Sequence, residues 1–167
     1  MNTKTISIVF LLLLFLAPIP VFADDDDDAE DTIESLGWAA IGAGVIANIP
    51  FVLFVKWRRY AVRAGGQSLQ MARQAAQFYK PVLNFHIVLN SFGYFAGMTH
   101  GLLLVNDLDS ISLSLAITMT VLMASGILLR YTSSRHTKVF TRLLHGQFGL
   151  LLLLIALIAI HVLIGDD

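Results

Sequence analysis

Four apolar stretches fall between residues 36 and 164, at 36–55, 82–105, 111–129 and 143–164, and no Asp, Glu, Lys or Arg interrupts any of them. A helix rises 1.5 Å per residue, so stretches of this length cross a ~30 Å hydrocarbon core. The chain is 56% hydrophobic with mean hydropathy +0.73, which is membrane composition. The expected fold is an all-α membrane protein, with residues 36–164 forming an up-and-down bundle of four transmembrane helices.

The charges between those stretches are sorted by sign. Lys56, Arg58, Arg59, Arg63, Arg73 and Lys80 lie between the first and second, and Arg130, Arg135, Lys138 and Arg142 between the third and fourth. The acidic residues lie elsewhere: Asp24 to Asp28, Glu30, Asp31, Glu34, Asp107, Asp109, Asp166 and Asp167. The positive-inside rule makes the basic loops cytoplasmic and places the N- and C-termini of the processed chain outside the cell membrane. Residues 1–23 read as a secretory signal peptide cleaved before Asp24. They show Lys4, a short apolar core and the small-residue site Val21-Phe22-Ala23. Such a leader puts the N-terminus on the same side. Residues 24–35 read as a solvated acidic tail, and 165–167 as an acidic end.

Local signals refine the spans. Trp38 and Trp57 sit near the two ends of the first, as interfacial anchors. Ala40, Gly44 and Ala47 form a small-residue stripe suited to close packing, and Pro50 predicts a kink. Ser68, after the Gly65-Gly66 break, is placed to cap a helix that continues into the second span. Asp109 or Ser110 is placed to cap the third. The basic loop residues Arg58, Arg59 and Arg63 are suited to anionic lipid.

The second span carries two histidines, His86 and His100. Fourteen residues apart, they lie about 40° from each other on one helix face, with a rise of ~21 Å between them. Gly93 and Gly97 share that face. The fourth span carries His145 near its start and His161 near its end. The two spans run in the same direction, so His86 matches His145 in depth and His100 matches His161. Histidines facing at one depth are suited to bis-histidine ligation, one imidazole on each face of a haem. The pattern predicts two haem sites, His86 with His145 and His100 with His161. His145 and His161 are sixteen residues apart, about 160° round a straight helix. A π-bulge, a kink near Gly146 or Gly149, or supercoiling must turn one back; otherwise the outer site takes another ligand. Met98, Met119 and Met123 are candidate thioether ligands, and His136 competes only with His145. The competing reading makes the histidines packing residues, and Gly93 and Gly97 helix contacts.

Absences narrow the chemistry. The chain has no cysteine, which excludes disulfides, cysteine-ligated iron–sulfur clusters and covalent c-type haem. The spans hold no carboxylate, so a di-iron site or a buried carboxylate proton relay has no residues to build it. Nothing suggests nucleic-acid binding.

Four spans with histidine pairs on the second and fourth resemble the four-helix di-haem bundle of b-type cytochromes. That bundle occurs in cytochrome b of quinol-oxidising complexes, and related arrangements occur in cytochrome b561 and in membrane subunits of hydrogenases and formate dehydrogenases. The resemblance rests on His86-x13-His100 with Gly93 and Gly97 between, and on His145-x15-His161. It implies two non-covalent haem b groups and electron transfer across the membrane, between a quinone-like or protein donor and an acceptor on the other side. Gly93 and Gly97 would let the porphyrin planes approach. The additional cytochrome b helices that help form quinol sites are absent, which favours a conduit or subunit over a self-contained enzyme. An extracytoplasmic redox partner such as a multihaem cytochrome could dock on the acidic side, and the chain could form homo- or hetero-oligomers. The alternatives are a haem-bearing anchor subunit of a larger oxidoreductase and a histidine-based metal or haem transporter.

Overall fold

The structure is a computed structural model that describes residues 26–63 and 69–165. The signal-peptide reading of residues 1–23, the Gly65-Gly66 break, Ser68 and the last two acids lie outside those residues. The described chain is all-helical: α1 Asp26–Arg63, α2 Leu69–Leu103, a 3-10 turn Val105–Asp107, α3 Ser110–Tyr131, α4 Arg135–His145 and α5 Phe148–Gly165. Two of these are long and apolar enough to cross a membrane, α1 over Asp31–Ala61 and the whole of α3. The bent pair α4–α5 forms a third such span if taken as one unit.

α2 runs 35 residues, but no stretch of it is as apolar as the spans of α1 and α3. The dilution comes from Asn84, His86, Asn90, Ser91 and His100, all in the segment read as the second span. Several of these polar groups are answered by neighbouring elements. Asn48 Nδ2 donates to Asn90 Oδ1 at 2.9 Å, and the Tyr94 and Thr120 hydroxyls are 3.2 Å apart.

Two boundaries differ from the sequence reading. The acidic residues from Asp26 on are helical rather than an irregular tail, and α1 runs unbroken through Pro50 to Arg63. Carboxylates at a helix N-terminus complement the helix dipole, which favours helix where charge density alone suggests disorder. The fourth apolar stretch is not one helix either. α4 ends at His145, Gly146 and Gln147 leave the helix, and α5 starts at Phe148 with a bend of 43°. The Gly146 N–H donates back to the Arg142 carbonyl at 3.0 Å, closing the last turn of α4. The cap of α3 is Asp109, whose Oδ1 accepts the Ser112 N–H at 2.6 Å.

Packing is through small residues. α1 lies along α2, α3 packs on α4 and α5, and α2 meets α3 more lightly. Among the described residues the buried positions include Ala43, Ala47, Ala96, Ser91, Thr118, Ser125 and Thr141, and none is a bulky aliphatic or aromatic residue. Gly93 marks a close helix approach: a Cβ there would stand 3.1 Å from the Ala40 carbonyl oxygen and 3.2 Å from the Ala43 Cβ. Small residues let backbones approach where no bulky core separates them. Nowhere among the described residues do α2 and α5 form a close pair, although each carries histidines.

The charge segregation becomes spatial. Arg130 of α3 reaches Asn84 of α2 at 3.4 Å, and the Arg58 guanidinium lies 4.5 Å over the Tyr79 ring. These contacts gather the basic residues at one end of the assembly. Glu34 and Asp109 lie at the other end, beside His100 and His161 respectively, as the site geometry shows.

Candidate haem site

Four histidines from three helices form two pairs. The His86 and His145 ring centroids are 6.3 Å apart with planes at 88°, and those of His100 and His161 are 6.1 Å apart with planes at 87°. The rings paired by depth in the sequence are thus adjacent in the structure. The break at Gly146–Gln147 explains why. It places His145 at the end of α4 and His161 within α5, so the off-phase spacing of sixteen residues never has to be met on one straight helix.

An imidazole nitrogen lies about 1.1 Å from its ring centroid and a first-row metal–imidazole bond is about 2.0–2.1 Å, so two imidazoles on opposite sides of one metal have centroids about 6.2–6.4 Å apart. Edge-to-face aromatic pairs fall in the same range. Separation alone therefore does not distinguish ligation from packing.

Each histidine is tied at Nδ1. His100 Nδ1 is 2.8 Å from the Ile33 carbonyl oxygen, and His145 Nδ1 is 3.0 Å from that of Leu122 and 3.2 Å from Ser125 Oγ. A carbonyl only accepts, so Nδ1 carries the proton in both rings and Nε2 keeps its lone pair. His161 Nδ1 is 3.1 Å from Ser112 Oγ. A hydroxyl both donates and accepts, so this contact engages His161 Nδ1 in either tautomer. His86 is held differently. Its Nδ1 is 3.4 Å from the Ala47 carbonyl oxygen and 3.2 Å from Asn90 Nδ2, which makes a shorter 2.8 Å bond to the His86 carbonyl oxygen. Phe51 stacks on this ring at 4.2 Å. His86 Nδ1 donates to Ala47 in one tautomer and accepts from Asn90 in the other, so it is engaged in both.

The rings also need room, and two glycines supply it. A Cβ on Gly126 of α3 would stand 3.1 Å from His145 Cε1, and one on Gly37 of α1 would stand 3.2 Å from His100 Cε1. Sequence reasoning singled out neither. Gly93 and Gly97 are placed otherwise than the resemblance implied. Gly93 faces α1, and Gly97 faces the Met119 methyl at 3.1 Å and the Ala40 Cβ at 3.4 Å. Both serve helix approach. Met119 lies at the level of Gly97, between the two histidine layers rather than in one. His136 is exposed on α4, on a shallow surface groove that shares no residue with either pair.

Each site thus offers two imidazoles and little else. Among the described residues no three His, Cys, Asp or Glu side chains converge to hold a metal ion. A bare zinc or copper ion wants three or four protein donors. A tetrapyrrole iron brings four of its own and asks the protein for two, so the residues present fit haem better than a naked ion. Comparison with family models, curated proteins and solved structures finds no match for this chain.

Proposed function

We propose that the chain is a membrane-embedded di-haem b-type cytochrome that moves electrons across the membrane. The donor would be a quinone-like carrier or a protein, and the acceptor lies on the other side. His86 with His145 would hold one haem b, and His100 with His161 the other. The observation that carries this reading is the repeated unit of two adjacent perpendicular imidazoles, each engaged at Nδ1, with no third protein ligand. Bound there, haem b supplies one-electron redox chemistry. The chain's part is to fix the ligands. The Ile33 and Leu122 carbonyls set tautomer and ring angle and the Ser112 hydroxyl sets ring angle, while Gly37 and Gly126 leave space for the rings.

In this reading α1, α2, α3 and the α4–α5 unit are the four spans of a bundle. α2, whose span is interrupted by polar residues, is accepted in the bilayer because those groups face its neighbours. The basic end is cytoplasmic and the acidic end extracytoplasmic, by the positive-inside rule. The two histidine layers are ~21 Å apart by helix rise, which spans most of the bilayer. Residues 1–23 are removed as a signal peptide. An extracytoplasmic redox protein would meet the acidic end.

A reduced-minus-oxidised optical spectrum of membranes carrying the chain tests the proposal. A b-type α-band supports it; a colourless chain that instead retains zinc or copper refutes it and favours a transporter.

A further inference from the structure

Helix α4 has three distinct faces. Thr137, Thr141 and His145 fall within about 80° of each other on a helical projection; Thr141 is buried and His145 reaches α3 through Leu122 and Ser125. Next round the helix, Lys138, Arg142 and Arg135 fall within about 60°, and all three are exposed. Next again come Val139, Leu143 and Phe140, 53%, 63% and 65% exposed. A shallow groove on the border of the cationic and apolar faces is lined by Arg135, His136, Val139, Phe140 and Leu143.

These cations have no carboxylate to answer them. No Asp or Glu occurs from Ser35 to Asn106 or from Ser110 to Gly165, so the whole basic end lacks an acidic residue of its own. The apolar face needs covering as well, and it leads through a 43° bend into α5, whose 18 residues are apolar almost throughout. A cationic stripe beside an apolar stripe, at the end of an apolar helix, matches the boundary between lipid phosphates and acyl chains.

We propose that the outward face of α4 binds an anionic phospholipid of the bilayer, its phosphate against Arg135, Lys138 and Arg142 and its acyl chains along Val139, Phe140 and Leu143. Zwitterionic lipid carries its own ammonium and gains little from the cationic stripe. The site rests on α5 lying in the membrane and is independent of haem.

The test is native mass spectrometry of the full chain purified in neutral detergent, with phosphatidylglycerol, phosphatidylcholine or a poly-glutamate peptide added separately. Phosphatidylglycerol is expected to stay bound where phosphatidylcholine does not. The triple variant Arg135→Gln, Lys138→Gln, Arg142→Gln should weaken its retention about tenfold or more. These side chains are exposed, and circular dichroism checks that the variant keeps its helix content. A Phe140→Trp variant should be quenched by brominated phosphatidylglycerol and not by brominated phosphatidylcholine. Equal retention of both lipids, undiminished binding by the triple variant, or binding of the peptide in place of lipid overturns the proposal. Release of the chain from membranes by alkaline carbonate also overturns it, whereas a colourless chain that retains phosphatidylglycerol leaves it standing.

Discussion

His86 and His145 belong to helices that do not pack closely on one another, yet their ring centroids lie 6.3 Å apart. The rings span a gap that the backbones leave open. His100 and His161 repeat the relationship at the opposite end, at 6.1 Å. The two pairs share separation, perpendicular planes and an engaged Nδ1. The proposed haem ligation would account for all three.

Replacing one histidine of a pair should empty that site and spare the other. His86→Ala or His145→Ala should leave the outer haem, and His100→Ala or His161→Ala the inner, so each variant retains one haem of two. His136→Ala should retain both. Haem content of the purified variants, with the absorbance of the surviving band, reads this out. Unchanged content in both His86→Ala and His100→Ala would remove the ligand assignment.

The glycines opposite the rings give a smaller, site-selective effect. Gly126→Ala pushes a methyl to 3.1 Å from His145 Cε1, and Gly37→Ala one to 3.2 Å from His100 Cε1. A ring already held at Nδ1 has little freedom to yield, so each change should cost about 1–3 kcal/mol. The loss should appear as faster haem release from the inner site in the first variant and from the outer site in the second. Gly93→Ala should act instead on the α1–α2 contact, lowering thermal stability and loosening both haems together.

Helical class, histidine pairing and the α3 cap were legible in the sequence because each follows from local spacing. Hydrophobic run length gives helices, helical rise gives His86 and His145 equal depth, and Asp109 precedes a long apolar run. The break at Gly146–Gln147 was legible only as a need, since phase demands a turn somewhere without saying where. Gly37 and Gly126 were not legible at all. Their role depends on which helix lies opposite each histidine, and a single glycine on α1 or α3 carries no mark of that. Gly93 and Gly97 misled for the same reason. They share the His86 face by phase, but tertiary packing sets α1 against them. The helix over the acidic residues from Asp26 on was hidden by charge density, which local propensity weighs heavily and the helix dipole offsets.

Asn90 and Asn48 should matter to the inner site alone. Asn48 Nδ2 bonds both the Gly44 carbonyl at 2.8 Å and Asn90 Oδ1, and Asn90 holds the His86 carbonyl. Asn90→Ala frees the His86 side of this network. Membrane hydrogen bonds of this kind contribute about 0.6–1.7 kcal/mol, so the fold should survive. Inner-haem affinity should fall ~10–100-fold, as for other ligand-orienting partners. Transfer of haem to an added apoprotein acceptor measures this, with the outer site as internal control.

Asp109 gives a pH dependence. It is exposed, and hydrogen bonds from the Ser112 side chain and main chain hold its carboxyl below the ordinary value of 3.8. The folded-state value is depressed, so its support of α3 is complete above pH 3.8 and fades as pH falls through the lower folded value. Asp109→Ala should therefore melt below wild type at neutral pH, and the difference should shrink on acidification below that range. Thermal melts followed by circular dichroism across a pH series check the sign. A gap that widens on acidification contradicts the capping role.

The central claim is that two histidine pairs hold two haems, and the haem-to-chain ratio of the purified protein tests it most directly. A pyridine haemochrome assay against quantitative amino-acid analysis should give two haem b per chain. A ratio of one would contradict the paired design, and a haem-free protein would contradict the account as a whole.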